Sequence, residues 1–513
     1  MALDTMEPKF GSVVENFKNE NEGYKCGYCK SKTSNYSHGM WAHQITVHDY
    51  QDLIDRGWRR SGYYCYKPTM QKICCPMYTI KCNSVDFKLS KSQKKVIKRM
   101  NRFLSHGERG KQRAMDDSNS LDPQDVEGNS DLMEAQMTSH FATVDSKKFA
   151  KIKSSFQELT GSSSDENRRQ DFAAHVTECS NVMSESKTEK KGPFVKDSCS
   201  TSYKPGAGPD KEKPPCKKAK LLRLERRNQK LASKGLSVDP SSSAPKQENF
   251  AKKLEDFLYP EMTQSPAHRL QLKLVRGNSA SVEQMWRLFV KYQKAIHNET
   301  DKECDQETFQ DFLVKTPLKA WRPADGSGPP QGYGSFHQQY WLDDKLVAVG
   351  VLDILPRCVS SVYFYYDPEY SDLTLGTYGS LREVAFVRTL QSNAPELKWY
   401  YMGFYIHSCP KMRYKASLSP SMLLCPETYT WHPIERCLPL LDKNKYSRLE
   451  PNPSVKDIDA IENVNEVVVF HDLRPMYYGQ YRDLAGSSSE DEEVLHYAQL
   501  VGKNCAKKML LLR

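Results

Sequence analysis

The sequence predicts a mixed protein, α+β in its first part and α/β in its second, with two folded regions joined by a linker. Three observations carry this. Residues 24–104 contain short, turn-punctuated runs rich in Cys, Tyr and Trp, such as SGYYCYKP (61–68) and CCPMYTIKC (74–82), which read as short strands. From about Phe250 to Pro475, strand, strand, helix, strand and helix patterns follow one another, the order of a layered α/β unit. Between the two, Ser, Asp, Lys, Gln and Pro dominate with little apolar periodicity. Such a stretch cannot bury enough apolar surface to offset chain entropy. The boundaries that follow are 20–104 for a small Cys-rich domain, 105–249 for a disordered linker, 250–475 for the second domain, and 476–513 for an acidic loop and tail.

Bulk properties narrow the class. At 513 residues the chain exceeds one ordinary core. Only 38% of residues are apolar and 27% are charged, lean for a wholly folded protein. The longest apolar runs are far shorter than a bilayer span, so no membrane segment is expected. The stretch MALDTMEPKFGSVVENF mixes acids among its apolar residues and is not expected to be a secretory signal. The chain is therefore expected inside the cell, with its 15 cysteines as thiols, metal ligands or packing residues. Of the formal charge of +10, residues 1–104 supply 18 Lys and Arg against 9 Asp and Glu. That excess suits a polyanionic partner, or a merely soluble basic surface.

In the first region, Cys26-x-x-Cys29 and the adjacent pair Cys74 and Cys75, with Cys65 and Cys82 nearby, favour a metal centre. An adjacent pair departs from the two CxxC knuckles of an ordinary zinc site, because neighbouring side chains in extended backbone point apart. Both bind one centre only in a bent turn, which Pro76 encourages; otherwise Cys65, Cys82 or a histidine supplies a ligand. Iron–sulfur and zinc both stay open. SHGMWAH (37–43) and RGWRRSGYYCYKP (56–68) mix aromatics with Arg59 and Arg60, a composition that suits unpaired RNA or an aromatic core. The helix KLSKSQKKVIKRMNRFL (88–104) places Lys91, Lys94, Lys95, Lys98, Arg99 and Arg102 within an arc of about 140°. Val96, Ile97, Met100, Phe103 and Leu104 lie opposite, so one face docks while the other presents a rail of cations.

The linker contains KEKPPCKKAKLLRLERRNQK (211–230), a nuclear-import, RNA-contacting or simply solvated tract. In the second region the helix SVEQMWRLFVKYQKAIH (281–297) precedes strands at 344–356 and 360–368, an amphipathic helix at 377–391 and a strand at 398–406. The loop 325–340 ends on His337, Gln338 and Gln339 and lacks the lysine and spacing of a phosphate loop, so it reads as an active-site border and no nucleotide cofactor is expected. The strand-to-helix loop DLTLGTYGSL (372–381) keeps two glycines but lacks the Arg or Gln that opens an acetyl-CoA pyrophosphate loop. Acetyl-CoA is therefore disfavoured. The densest polar cluster, YYMGFYIHSCPKMRYK (400–415), brings His407, Lys411, Arg413, Tyr414 and Lys415 to a strand end. Cations there would hold a carboxylate or phosphate, or form a solvated helix start.

These residues together, CGYC (26–29), GMW (39–41), RGWRRSG (56–62), CCP (74–76), GSFHQQY (334–340), VGVLDILP (349–356), SSVYFYYDP (360–368) and YYMGFYIHSCPKMRYK (400–415), resemble the eukaryotic arginyl-tRNA protein transferases over about residues 20–104 and 250–475. The resemblance implies a C-terminal acyltransferase domain of the acetyltransferase (GNAT-like) fold. It also implies an iron–sulfur cluster on Cys26, Cys29, Cys74 and Cys75, with zinc as the alternative. The expected reaction moves arginine from arginyl-tRNA onto proteins with N-terminal Asp, Glu or oxidised Cys, a mark read by downstream ubiquitin ligases. Cytoplasm and nucleus are the expected compartments, and a monomer the expected state. Candidate catalytic residues are His337, Gln339, Tyr405 and His407. Lys411, Arg413 and Tyr414 are candidates for the acceptor, and Arg59, Arg60 and the helix 88–104 cations for tRNA. The alternative is a non-enzymatic zinc and RNA-binding adaptor, which would leave the α/β unit without a task.

Overall fold

Two mixed sheets organise this computed structural model, which describes residues 11–17, 23–109, 252–260, 265–277, 279 and 281–513. Beyond residue 109, the linker expected over 105–249 and its basic segment 211–230 lie outside the described residues. The first strands along the chain are β1 (Val13–Phe17), β2 (Ser37–Gln44), β3 (Arg59–Ser61), β4 (Tyr64–Pro68) and β5 (Tyr78–Asn83). Next come β6 (Leu270–Val275), β7 (Gly334–Leu342), β8 (Lys345–Ile354), β9 (Cys358–Tyr366), β10 (Trp399–Tyr405), β11 (Ser421–Leu424) and β12 (Trp431–Pro433). The last are β13 (Val468–His471), β14 (Arg474–Tyr477) and β15 (Leu510–Leu512). One sheet has the order β14-β13-β15-β1-β2-β4-β3, the other β12-β11-β5-β10-β9-β8-β7-β6.

The two regions read from the sequence share both sheets. β5, from the first region, is paired antiparallel on one side with β10 and on the other with β11. Its run Tyr78–Asn83 is buried on both faces, as a central strand must be. The reverse exchange occurs in the other sheet, where β15 runs parallel between β1 and β13. Residues 476–513, expected as an acidic loop and tail, fold into helices Tyr478–Ala485, Asp491–Val501 and Lys503–Ala506 and then β15. The acids Asp491, Glu492 and Glu493 occupy the first turn of a helix, where the helix dipole favours negative charge. Of the β15 leucines, Leu510 and Leu511 are buried.

Several helices form where periodicity places them. Lys91–His106 starts at a capping box between Ser90 and Gln93 and stops at Gly107 in the left-handed region. It buries Ile97, Met100, Phe103 and Leu104. Val282–Tyr292 runs on into a π turn, Gln293–His297. Leu375–Gln391, expected to be amphipathic, is buried around most of its circumference, because one side meets the β9 face and another meets Lys91–His106 and the short helix Leu254–Leu258. Among the described residues no helix is long and apolar enough to cross a membrane.

Candidate functional site

The central feature is a parting of parallel strands. β9 and β10 pair through Cys358 with Trp399, Val359 with Tyr400 and Ser360 with Tyr401. There the pairing ends. Gly403 has φ +67°, a left-handed conformation that suits glycine, and the register of β10 against β5 shifts between Tyr401 and Phe404. Two cations take up carbonyls of this bulge: Arg59 Nη2 donates to Gly403 O at 3.2 Å and Lys415 Nζ to Phe404 O at 2.9 Å. The edge of β9, through Ser361, Val362, Tyr363, Phe364 and Tyr366, then lines a cleft instead of meeting β10.

Aromatic rings wall the cleft. Tyr28 and Tyr66 come from the first region, Tyr292 from the end of helix Val282–Tyr292, Tyr363 from β9, and Tyr400 and Tyr414 from β10 and the turn beyond it. At the floor stands Glu383, 1% exposed, which accepts a hydrogen bond from Tyr400 Oη at 2.5 Å. Two glycines make room. A Cβ on Gly350 would come within 2.8 Å of Glu383 Oε1, and one on Gly379 within 2.5 Å of the Phe364 ring. Lys415, 2% exposed, brings an ammonium group to the same cleft.

Beside it, Cys26, Cys29, Cys74 and Cys75 bring their sulfurs within 4.8 Å of one another. Cys26 and Cys29 sit on a tight loop in which Cys26 N bonds Ser31 O at 2.8 Å and Lys30 N bonds Cys26 O at 3.0 Å. Cys74 N is tied to Ser34 O at 3.0 Å, which brings the adjacent pair onto the same centre. The hydrogen bond from Cys75 pulls the Cys26 thiol down to about 5, and that same bond pushes Cys75 up. A thiolate, the form that binds metal, is thus favoured at Cys26. The set can hold a metal ion. Around a single tetrahedral ion with metal–sulfur bonds of about 2.3 Å, thiolates stand roughly 3.8 Å apart, within the observed spread. A multi-iron cluster spaces them more widely, because its thiolates bind different irons. The loop also shapes the cleft, since Tyr28 lies between two of the ligands and Cys26, Cys75, Tyr66 and Phe404 share one apolar cluster.

Other expected site residues lie elsewhere. His337 is buried, with Nε2 2.9 Å from Leu313 O and Nδ1 3.2 Å from Met285 Sδ, and burial pushes its imidazole down to about 4. Gln339 is equally enclosed, donating to Ser281 Oγ at 2.5 Å and accepting from Trp341 Nε1 at 3.0 Å. Both point from β7 into the packing against Val282–Tyr292 and do not line the cleft. Tyr405 and His407 form a chain at the far end of β10, with Tyr405 Oη 2.8 Å from His407 Nδ1 and His407 Nε2 2.9 Å from Asp442 Oδ1. Neither of them lines the cleft.

The cationic stretch divides by its helical turn. Lys411 and Arg413 are exposed, and Arg413 Nε donates to His407 O at 2.8 Å. Tyr414 and Lys415 line the cleft. Lys411 and Lys30 stand close to His297, whose imidazole is pushed down to about 4, first by burial and then by these charges. His297 in turn packs edge-on against Tyr292, one of the rings that line the cleft.

Arg59 and Arg60 are buried and do not face solvent. Arg59 donates to Trp58 O at 2.6 Å as well as to Gly403 O, and Arg60 is paired with Asp353. Of the helix 91–106 cations, Lys91, Lys95, Lys98 and Arg102 are exposed, Lys94 lies over the Phe257 ring, and Arg99 Nη1 donates to Asp372 O and Thr374 Oγ1, both at 2.8 Å. Arg99 therefore fastens the rail beside the N-terminal end of Leu375–Gln391, whose Gly376 lines the cleft. Tyr414 is an acceptor candidate that does line the cleft, while Glu383, Lys415 and the other tyrosines are cleft residues that sequence reading missed or left unassigned. A glycine inside the apolar run YYMGFYI was the one local sign of a strand irregularity there.

Comparisons with known proteins agree on one family. Residues 24–95 match the pattern described as Arginine-tRNA-protein transferase, N terminus, and residues 284–425 match Arginine-tRNA-protein transferase, C terminus. Arginyl-tRNA–protein transferase 1 of Drosophila melanogaster is 43% identical over 95% of this chain and 97% of its own length. Arginyl-tRNA–protein transferase 2 of Arabidopsis thaliana is 33% identical over 86% of this chain and 79% of its own. An aspartate/glutamate leucyltransferase of Campylobacter jejuni is 33% identical over 17% of this chain and 34% of its own.

Proposed function

The chain belongs to the arginyl-tRNA–protein transferase family, and on that footing we propose that it carries out arginyl transfer in the cleft between β9 and β10. It is an aminoacyltransferase that takes arginine from arginyl-tRNA and delivers it to protein. The observation that carries the location is the parting of two parallel strands beside a fastened cationic helix. An acceptor stem lying along Lys91, Lys95, Lys98 and Arg102 would bring its aminoacyl end past Thr374 to the cleft. The parted strands also support an acetyltransferase-like (GNAT-like) fold for this half.

The chemistry asks for positioning more than for acid–base power. The ester is already activated, and an α-amino group with a pKa near 7.7–8.0 is partly free at neutral pH. Its nitrogen attacks the ester carbonyl, an oxyanion forms, and the ribose oxygen leaves with a proton. Main-chain groups on the β9 edge, with Tyr414 beside the cleft, are the proposed support for that oxyanion. The proposed acceptor is a protein N-terminus bearing Asp or Glu, or oxidised Cys, held through its acidic side chain by Lys415. Cys26, Cys29, Cys74 and Cys75 are the proposed metal ligands. Their spacing supports zinc; the family resemblance implies an iron–sulfur cluster. Action as a monomer in cytoplasm and nucleus, on products read by ubiquitin ligases, completes the proposal.

The test incubates purified protein with tRNA carrying labelled arginine and peptides that begin with Asp or Ala. Label should enter the Asp peptide; a protein that binds tRNA and zinc but transfers nothing is the adaptor. In the same assay Lys415→Met should lower kcat/KM for the Asp peptide by roughly ten- to a hundredfold, about 1.5–3 kcal/mol. Arg413→Ala should change it only a few-fold. The reverse ranking would move the acidic pocket to the exposed turn. Charge reversal at Lys95, Lys98 and Arg102 should weaken tRNA binding and flatten its log–log salt dependence by about 0.7–0.9 for each phosphate that is no longer neutralised. An unchanged slope would make the rail an ordinary solvated surface.

A further inference from the structure

We infer that Arg59 is a positioning residue for the transfer reaction: reaching across from the first region, it holds the β10 bulge that keeps β9 and β10 apart. This deepens the reading that transfer takes place in the cleft, and rests on it. The starting point is a cation in an unfavourable place. Arg59 is 4% exposed, and whereas Arg56 and Arg60 beside it each pair with an aspartate, Arg59 pairs with no carboxylate among the described residues. It donates instead to main-chain carbonyls, Nη1 to Trp58 O at 2.6 Å and Ile54 O at 3.5 Å, and Nη2 to Gly403 O at 3.2 Å. Its Nε is buried without a hydrogen-bond partner among the described residues. An apolar side chain of similar volume would leave no buried charge to desolvate, so stability alone does not account for arginine here. What it holds does. Gly403, at φ +67°, lies just beyond the last β9–β10 pair, Ser360 with Tyr401, and Lys415 takes the next carbonyl, Phe404 O, at 2.9 Å. A carbonyl bound by a cation is not free to join a ladder with a neighbouring strand. The guanidinium also stands 5.1 Å from the centre of the Phe404 ring, and Gly403, Phe404 and Tyr66, opposite Arg59 on β4, all line the cleft.

The alternative is that Arg59 only ties the first region to β10. The two differ in where the molecule changes when the guanidinium is removed. Arg59→Met keeps an unbranched stem of similar volume but leaves Gly403 O without its donor, and a buried carbonyl without a donor destabilises the conformation that strands it. The remedy open to β10 is to straighten and pair with β9 beyond Ser360, which closes the cleft. Loss of a mere tie would loosen the contact and leave the β9 edge as it is.

The experiment measures amide hydrogen exchange and transfer kinetics on the full chain as wild type, Arg59→Met and Arg59→Lys. In Arg59→Met the amides between Ser361 and Tyr366 that do not bond β8 should become more protected, and kcat for transfer to an Asp peptide should fall by roughly tenfold or more. The Kd for arginyl-tRNA should stay within about twofold of wild type. Arg59→Lys, which keeps the charge and one donor for Gly403 O, should recover much of the rate. Protection lost evenly across both sheets, with kcat per folded molecule unchanged, overturns the inference and makes Arg59 a tie alone. A fall in tRNA affinity that matches the fall in rate overturns it too, by assigning Arg59 to tRNA. Should Arg59→Met not fold, Arg59→Gln, shorter and uncharged, carries the same comparison, and an unchanged rate and exchange pattern in that variant overturns the proposal. Failure of the cleft reading shows separately. Added protection along β9 with undiminished transfer means that the cleft closes while the reaction proceeds elsewhere; a lower rate with the β9 edge unchanged strikes only the part given to Arg59.

Discussion

Asp353→Asn is expected to lower folding stability by about 3–5 kcal/mol, enough to leave much of the protein unfolded at 37 °C. Arg60 and Asp353 are both almost fully buried, and Arg60 Nε and Nη2 reach the two carboxylate oxygens at 2.7 and 2.6 Å. Burial alone would pull the Arg60 guanidinium down, and Asp353 more than offsets it. Ser335 Oγ donates to the same carboxylate at 2.7 Å and lies 2.8 Å from Thr316 Oγ1. Removing the aspartate charge therefore strands a guanidinium in the interior between β3 and β8. Replacing both partners by apolar residues of similar size, Arg60→Met with Asp353→Leu, should restore most of the loss, since a buried pair as a whole contributes little net stability. Urea unfolding followed by circular dichroism measures all three proteins. A single substitution costing under about 1 kcal/mol would show that water reaches the pair.

That pair also marks the limit of what the sequence makes legible. RGWRRSG suits unpaired RNA or an aromatic core alike, because the partner of Arg60 is 293 residues away in VGVLDILP. Local pattern carries no information on such a pairing. For the same reason the boundary near residue 104 is clear in composition while β5 belongs to a sheet built mainly from residues beyond 250. What depends on one element alone is legible. The rail of Lys91–Arg102 has its apolar face buried, and the cations at the centre of its arc are the exposed ones, because helical period fixes both. Each cysteine pair is local, in CGYC and in CCP, but the two pairs meet only through the tie from Cys74 N to Ser34 O, so the choice among Cys65, Cys74, Cys75 and Cys82 could not be read from spacing alone. The cleft is the opposite case. It exists because β9 and β10 part beyond Ser360 and Tyr401, and parting is a relation between two strands. Lys411 and Arg413 look like the functional cations in sequence, but the turn after Cys409 points them outward and brings Lys415 in.

Loss of the metal from Cys26, Cys29, Cys74 and Cys75 should lower arginyl transfer by at least roughly tenfold and reduce the thermal unfolding midpoint by several degrees. The reasoning starts from the ligands. Thiolates crowded within 4.8 Å repel one another unless a cation sits among them. Without it the CGYC loop keeps its backbone bonds to Ser31 and within itself and its apolar packing, but loses the bonds that would join its sulfurs to those of Cys74 and Cys75. Tyr28 on that loop is a wall of the cleft, and Cys26 and Cys75 pack with Tyr66 and Phe404. Displacement of the loop therefore opens the cleft to water and releases Phe404 beside the Gly403 bulge. Most of the fold does not touch this cluster, so the loss of activity should exceed the loss of global stability. Cys75→Ser and chelator-treated wild type should behave alike, while Cys304→Ser, at a buried thiol outside the cluster, should keep full metal content. Elemental analysis of anaerobically prepared protein identifies the ion: the spacing leads us to expect one zinc per chain, and bound iron with sulfide would show instead that the two loops move apart to admit a cluster. Metal-free protein that transfers arginine at the full rate would detach the centre from the cleft and leave Tyr28 without a positioning role.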